Sequence, residues 1–165
     1  MIRLRAASAP VPARRGFTLV EMLVVAAMMS VLAMAVLPLA EITNARWKER
    51  ELRAALQEIR GAIDRYKRMA DEAAGGRPRA GSGYPPSLAS LMVGLPDAAS
   101  GGSPRPLLRR IPRDPFAPDG VPAEASWGLR SYDSPAHAPR AGADVYDVYS
   151  LSARMGSNGV PLQQW

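Results

Sequence analysis

Glu21 is the only acidic residue among the first 40, and it stands at the entrance of a run, Met22 to Ala40, that carries no charge. A carboxylate at the mouth of such a run needs a cation, because an unpaired charge in hydrocarbon costs on the order of 3 kcal/mol or more. Five positions earlier lies Gly16, a small residue on the polar side of the run. An ordinary export signal places its small-residue cleavage site after the apolar core, which is then discarded. Here Ala26-Ala27 and the alanines near Val36 offer only weak sites of that kind. A cut at Gly16 would leave the run on the processed chain, beginning at Phe17, with Glu21 four residues further on. Gly16, Phe17 and Glu21 are therefore the first candidate site.

Other chemistry is sparse. The single His137 lies in a Pro/Ala-rich loop, and without cysteine or a second histidine it has no companion for a metal or nucleophilic site. Asp114, Asp119, Glu124 and Asp133 are scattered among turn signals, and Asp114 before Pro115 reads as a turn-former rather than half of a catalytic carboxylate pair. Gly75-Gly76 falls at a helix end and lacks the Gly-Lys-Ser/Thr ending of a phosphate loop. The residues do not read as an enzyme, and no disulfide is available to staple the fold.

These residues must be positioned by a small number of elements. A helix rises about 1.5 Å per residue and a bilayer's hydrocarbon is about 30 Å thick, so residues 17–40 are long enough to span it. Arg3, Arg5, Arg14 and Arg15 precede the run without any acid, and positive flanks remain cytoplasmic. The rest of the chain should then lie on the far side. Pro38 falls inside the helical run, where it removes a hydrogen bond and should kink or loosen the helix. From Ile42 the pattern becomes periodic: Ile42, Ala45, Glu49, Leu52, Leu56, Ile59, Ile63, Tyr66, Ala70 and Ala73 step by three and four, with Glu49 the one interruption. This is an amphipathic helix, and Gly75-Gly76 followed by Pro78 supplies its stop.

Residues 74–106 are rich in Gly, Pro, Ser and Arg and read as loop, broken by a short helix that Ser87 could cap and that carries Leu88, Leu91 and Met92. Pro112 and Pro115 forbid a regular element across Leu107 to Phe116. Strand signals follow at Trp127 to Tyr132 and Val145 to Leu151. The expected class is α+β: a long amino-terminal helix, membrane-embedded in its first half and amphipathic in its second, packed on a small two- or three-stranded antiparallel sheet. The expected organisation is a leader at 1–16, an apolar helix at 17–40 and a domain at 41–165.

The stretch Arg14-Arg15-Gly16-Phe17-Thr18-Leu19-Val20-Glu21-Met22-Leu23-Val24-Val25 resembles the class III signal of type IV pilins and type II secretion pseudopilins. The resemblance implies cleavage between Gly16 and Phe17 by a prepilin peptidase, N-methylation of Phe17, and a role for Glu21 in filament assembly. It also implies a proline at the distance of Pro38 that permits bending in the filament. The new amine of Phe17, on the same subunit or a neighbour, would be a natural partner for Glu21. Further along, Tyr84-Pro85, the stretch from Arg110 to Phe116, Trp127-Gly128, Asp144 to Ser150, Asn158-Gly159 and Trp165 look like the major, G-type pseudopilin.

Such a protein would be a structural subunit of a periplasmic helical filament that drives export of folded proteins. The implied partners are other copies of itself, minor pseudopilins, the prepilin peptidase, and an inner-membrane platform protein with its ATPase complex. Members of that group bind calcium in an aspartate-rich loop after the last long strand, whereas Ser152 to Trp165 here contains no acid. No cofactor is therefore expected, although Asp144 or Asp147 with backbone carbonyls could still hold an ion.

Two other readings stand beside this one: a type IV pilus pilin, and a pilin-like module that binds DNA through Arg105, Arg109, Arg110 and Arg113 with Arg77 and Arg79 nearby. Removing residues 1–16 would take four of the 21 basic groups and none of the 15 acidic ones, so the formal charge falls from +6 to +2. A solvated loop explains the arginines equally well, and nucleic acid is not an expected partner.

Overall fold

The computed structural model describes residues 16–75, 81–96 and 101–165, and the side chains of all of these except 35–41. The leader arginines, Gly76, Arg77, Pro78 and Arg79 lie outside the described residues, as does the side chain of Pro38, and with it the expected kink. The chain divides into two compact units, Met1–Ile42 and Thr43–Trp165.

One helix, α1 (Leu19–Ala74), runs through both. Thr18 caps its start: the Thr18 hydroxyl oxygen accepts the Glu21 N–H at 3.2 Å, just ahead of the apolar run. Gly75 ends it in the left-handed conformation (φ 56°) that glycine adopts without a side-chain penalty, its N–H bonded to the Glu72 carbonyl at 3.1 Å. Within the first unit, every described side chain of α1 up to Met34 is exposed. Among the described residues no helix is long and apolar enough to cross a membrane. The span expected over 17–40 passes through 35–41, whose side chains are outside the described set.

In the second unit, the periodic stripe becomes the core. Leu52, Leu56, Ile59 and Ile63 are fully buried, joined by Ala55, Ala62 and Ala70. The two ends of the expected stripe depart from this, since Ile42, Ala45 and Ala73 are exposed. Among the described residues nothing folds back over those turns, and a period identifies the dry face only where a second layer covers it. That layer is α2 (Ala89–Val93), two short hairpins and the connecting loops. In α2 the Ser87 hydroxyl accepts the Ser90 N–H at 3.3 Å, and Leu88 and Leu91 are buried while Met92 faces outward. Gly94 closes it at φ 79°, so near the Arg105 carbonyl that a Cβ there would overlap it.

Strands β1 (Leu95–Pro96) and β2 (Pro104–Arg105) pair antiparallel, as do β3 (Trp127–Arg130) and β4 (Asp147–Ser150), in which Trp127 faces Ser150 and Arg130 faces Asp147. Both main strands are shorter than the sequence signals. Beyond Arg130 the Ser131 N–H turns to the Arg140 carbonyl at 2.9 Å, and the Tyr146 N–H makes a last rung to Arg130 at 2.8 Å. Trp127, Val145, Val148 and Leu162 cover the apolar stripe of α1 together with Leu88, Leu91, Leu108 and Ile111. The helix lies on small antiparallel sheets, as a pilin-like α+β arrangement requires, and not against a second long helix.

Candidate functional site

The amino-terminal candidates occupy the entrance to α1. Gly16 and Phe17 precede the helix, Phe17 is 73% exposed, and a side chain built at Gly16 would meet nothing within 4 Å. The bond between them is therefore on accessible, non-helical backbone, the form in which a protease can engage a peptide. Glu21 lies in the first turn of α1 with its side chain exposed, where the positive end of the helix dipole favours an acid. In the uncut chain Phe17 sits ahead of the helix, so the two do not share a helical face. Thr18 was not among the sequence candidates, although Thr18-Leu19-Val20-Glu21 is a legible capping-box sequence.

Behind this entrance lies an exposed apolar surface. Leu19, Val20, Leu23, Val24, Val25, Met28, Met29, Val31, Leu32 and Met34 are all exposed. A continuous apolar surface of this length exceeds what a water-facing protein leaves bare. Among the described residues it has no tertiary partner, and only the Ser30 hydroxyl is satisfied locally, by the Ala26 carbonyl at 2.8 Å.

Residues 12–37 match the prokaryotic N-terminal methylation motif. In this the amino-terminal segment is similar to a type IV pilin-like prepilin signal. The match ends within the apolar run, and the second unit lies outside it. No curated protein and no solved structure matches the chain.

In the second unit several polar groups are structural ties, Glu49, Asp114 and Asp144 of the sequence candidates among them. Glu49 does not interrupt the buried face: it is 7% exposed, and its carboxylate accepts the Ser157 N–H at 2.7 Å and the Ser157 hydroxyl. Arg60 donates to the Asp147 carboxylate at 2.7 Å, to the Val148 carbonyl at 3.0 Å and to the Trp165 main-chain oxygen at 2.7 Å. The guanidinium of Arg53 lies 4.3 Å from the centre of the Trp165 ring. Three α1 side chains thus hold the segment from Ser157 to Trp165 against the helix.

Asp114 does form its turn, accepting the Phe116 N–H at 2.7 Å. Only 1% exposed, it also takes the Ser150 hydroxyl at 2.6 Å, linking the proline-rich segment to β4. Arg113, from the basic cluster, is used inside its own loop on the carbonyls of Val121, Ala117 and Pro118. Arg109, Arg110 and His137 are exposed.

Asp144 accepts hydrogen bonds from the Ser82 hydroxyl, the Ser131 hydroxyl at 3.0 Å and the Tyr132 N–H at 2.8 Å. Burial pushes its pKa up, but the three donors together outweigh it and hold the group below the ordinary carboxylate value. Asp147 is shared between Arg60 and the Val148 N–H at 2.8 Å. Both hydrogen bonds to Asp147 fall on Oδ1, while its Oδ2 lies 3.8 Å from the Arg130 guanidinium. Around Asp144 the rings of Tyr84, Tyr132 and Tyr146 pack on one another at 5.0–5.6 Å, a cluster that the spacing in sequence does not reveal.

Proposed function

We propose that the chain is the precursor of a structural filament subunit, a pseudopilin of a type II secretion system. In this reading it is cut between Gly16 and Phe17 and methylated at Phe17. The apolar half of α1 then holds it in the inner membrane, with the second unit in the periplasm. The observation that carries the proposal is the wholly exposed apolar surface from Leu19 to Met34 directly behind a prepilin-type signal. Lipid covers that surface before assembly and the helices of neighbouring copies cover it afterwards, so packing rather than water exclusion favours the bundle. Glu21, one turn inside α1, answers the amine that the cut creates.

Pseudopilin rather than pilus pilin is supported by the resemblance of the segments at Tyr84-Pro85, Arg110–Phe116, Trp127-Gly128 and Asp144–Ser150. In the fold these segments meet. Leu108, Ile111, Trp127, Val145 and Val148 form one core on α1, and the Trp127 ring N–H donates to the Pro112 carbonyl at 2.8 Å. The partners follow from the role: further copies, minor pseudopilins, the peptidase, and a platform protein with its ATPase.

Intact mass of the protein from host membranes, with and without the peptidase, tests the processing step. A product beginning at methylated Phe17 is expected, and an uncut chain in both strains would overturn it. Glu21→Ala should be processed normally yet fail to assemble. Deletion of the gene should abolish export of folded proteins while surface pili persist; the opposite pattern would make it a pilus subunit.

A further inference from the structure

The turn of α1 that follows the apolar run carries exposed groups that neither the signal nor the core uses. Trp47 is 65% exposed, the largest apolar side chain outside the first unit left so open. Arg46 and Arg50 flank it on the helix face turned away from Leu52 and Leu56, and both are exposed, with Lys48 half-exposed beside them. The Arg50 guanidinium lies 5.9 Å from the centre of the Trp47 ring and its Nε–H reaches back to the Arg46 carbonyl at 3.3 Å. Among the described residues Arg46, Lys48 and Arg50 have no carboxylate partner. The acid within this turn, Glu49, is turned inward onto Ser157, and Arg53 is committed to the Trp165 ring. The outward charge of the turn is thus positive, with Glu51 at its edge facing the cleft that Arg110 and Arg113 line.

Position along the helix places this group. A bilayer with both headgroup layers is about 40–45 Å thick and a helix rises about 1.5 Å per residue, so a helix entering at residue 17 reaches the far headgroup layer at about residue 45. Indole rings collect in that layer because one edge is apolar and the ring N–H needs a polar partner, while arginines there meet lipid phosphates.

We propose that Arg46, Trp47, Lys48 and Arg50 form an interfacial collar that seats on anionic lipid headgroups at the membrane face from which the second unit emerges. The collar rests on the reading that the first unit is membrane-anchored. Its occupant is a lipid surface because the collar follows the apolar run on the same helix, with five residues between them, and its charge complements phosphate. It would fix how deep a stored subunit sits, and extraction into a filament would have to break its contacts.

The test reconstitutes the full chain into vesicles of phosphatidylcholine with and without about a quarter phosphatidylglycerol, carrying a quencher near the headgroup. Emission present in the wild type and absent from Trp47→Phe belongs to Trp47, since Trp127 is buried and Trp165 is packed under Arg53. The expected result is strong quenching of Trp47, greater in the anionic vesicles. The paired substitution Arg46→Gln and Arg50→Gln should remove about half of that anionic excess. A chain that co-floats with vesicles while Trp47 stays unquenched overturns the collar and leaves the anchor standing. Equal quenching in both compositions overturns the choice of anionic lipid. Quenching that vanishes as protein density in the vesicle rises would assign Trp47 to contact with a second copy instead. A chain that fails to co-float overturns the anchoring reading and the collar with it.

Discussion

Between Leu19 and Met34 the side chains of α1 are nearly all apolar and all exposed, whereas between Glu49 and Ala70 the same helix buries one face and turns charge outward on the other. The two stretches differ both in hydrophobic content, 14 of 16 residues against 10 of 22, and in its arrangement. In the second, apolar residues recur every three or four positions, so one layer of strands and loops can cover them and the helix is complete within a single chain. In the first they continue around the helix, and no single layer could cover them.

The contrast predicts that identical chemistry has opposite weight in the two regions. Ile59→Ala, at a fully buried position, should cost about 3 kcal/mol of stability, measured by denaturant unfolding of the full chain in mild detergent with Trp127 as the reporter. Val25→Ala on the exposed half should shift the same transition by less than about 0.5 kcal/mol. Similar losses from both would break the comparison, because they would mean that the first half packs within the subunit.

The ties between α1 and the carboxy-terminal residues allow a finer test. Arg60→Ala removes the donor shared by Asp147, Val148 and Trp165; since that side chain is partly exposed, the expected loss is about 1–2 kcal/mol. Limited proteolysis should then open the chain after about residue 150 while leaving the signal segment unchanged. Glu49→Ala should cost about 1 kcal/mol and raise hydrogen exchange at the Ser157 amide in particular. An unaltered Ser157 amide would show that the loop is held by packing alone.

Acid should produce the smallest separation. The folded Asp144 carboxyl titrates below its unfolded value, so its contribution to stability is present above about pH 4 and is lost as pH falls through the depressed folded value. Asp144→Asn should flatten the decline of melting temperature in that range and lower stability at neutral pH. An unchanged acid limb would assign the decline to other groups.

Much of the architecture was legible because it depends on local pattern. The charge-free run, the three-and-four stripe, the left-handed Gly75, the Ser87 start of α2 and the aromatic strands each reflect a preference that a few neighbouring residues decide. Gly16, Phe17 and Glu21 fall within the linear stretch, residues 12–37, that matches the N-terminal methylation motif. What the pattern got wrong lies at its margins: Ile42, Ala45 and Ala73 keep the period but stay exposed, and the strands end a residue or two early at the Ser131 turn.

By itself, then, the sequence determined that this chain has an N-terminal methylation motif, a charge-free apolar run, and an amphipathic continuation that needs a small α+β cover. Only the tertiary structure decided what the polar residues do. Glu49 looks like a flaw in an apolar stripe until Ser157, 108 positions away, is found beneath it. Asp114 is a turn residue until Ser150 reaches it, and Arg60 is one surface charge among many until three acceptors converge on it. A period reports which face is dry because burial acts on every residue of that face alike. A buried hydrogen bond joins two particular atoms, and their meeting depends on the whole path of the chain between them.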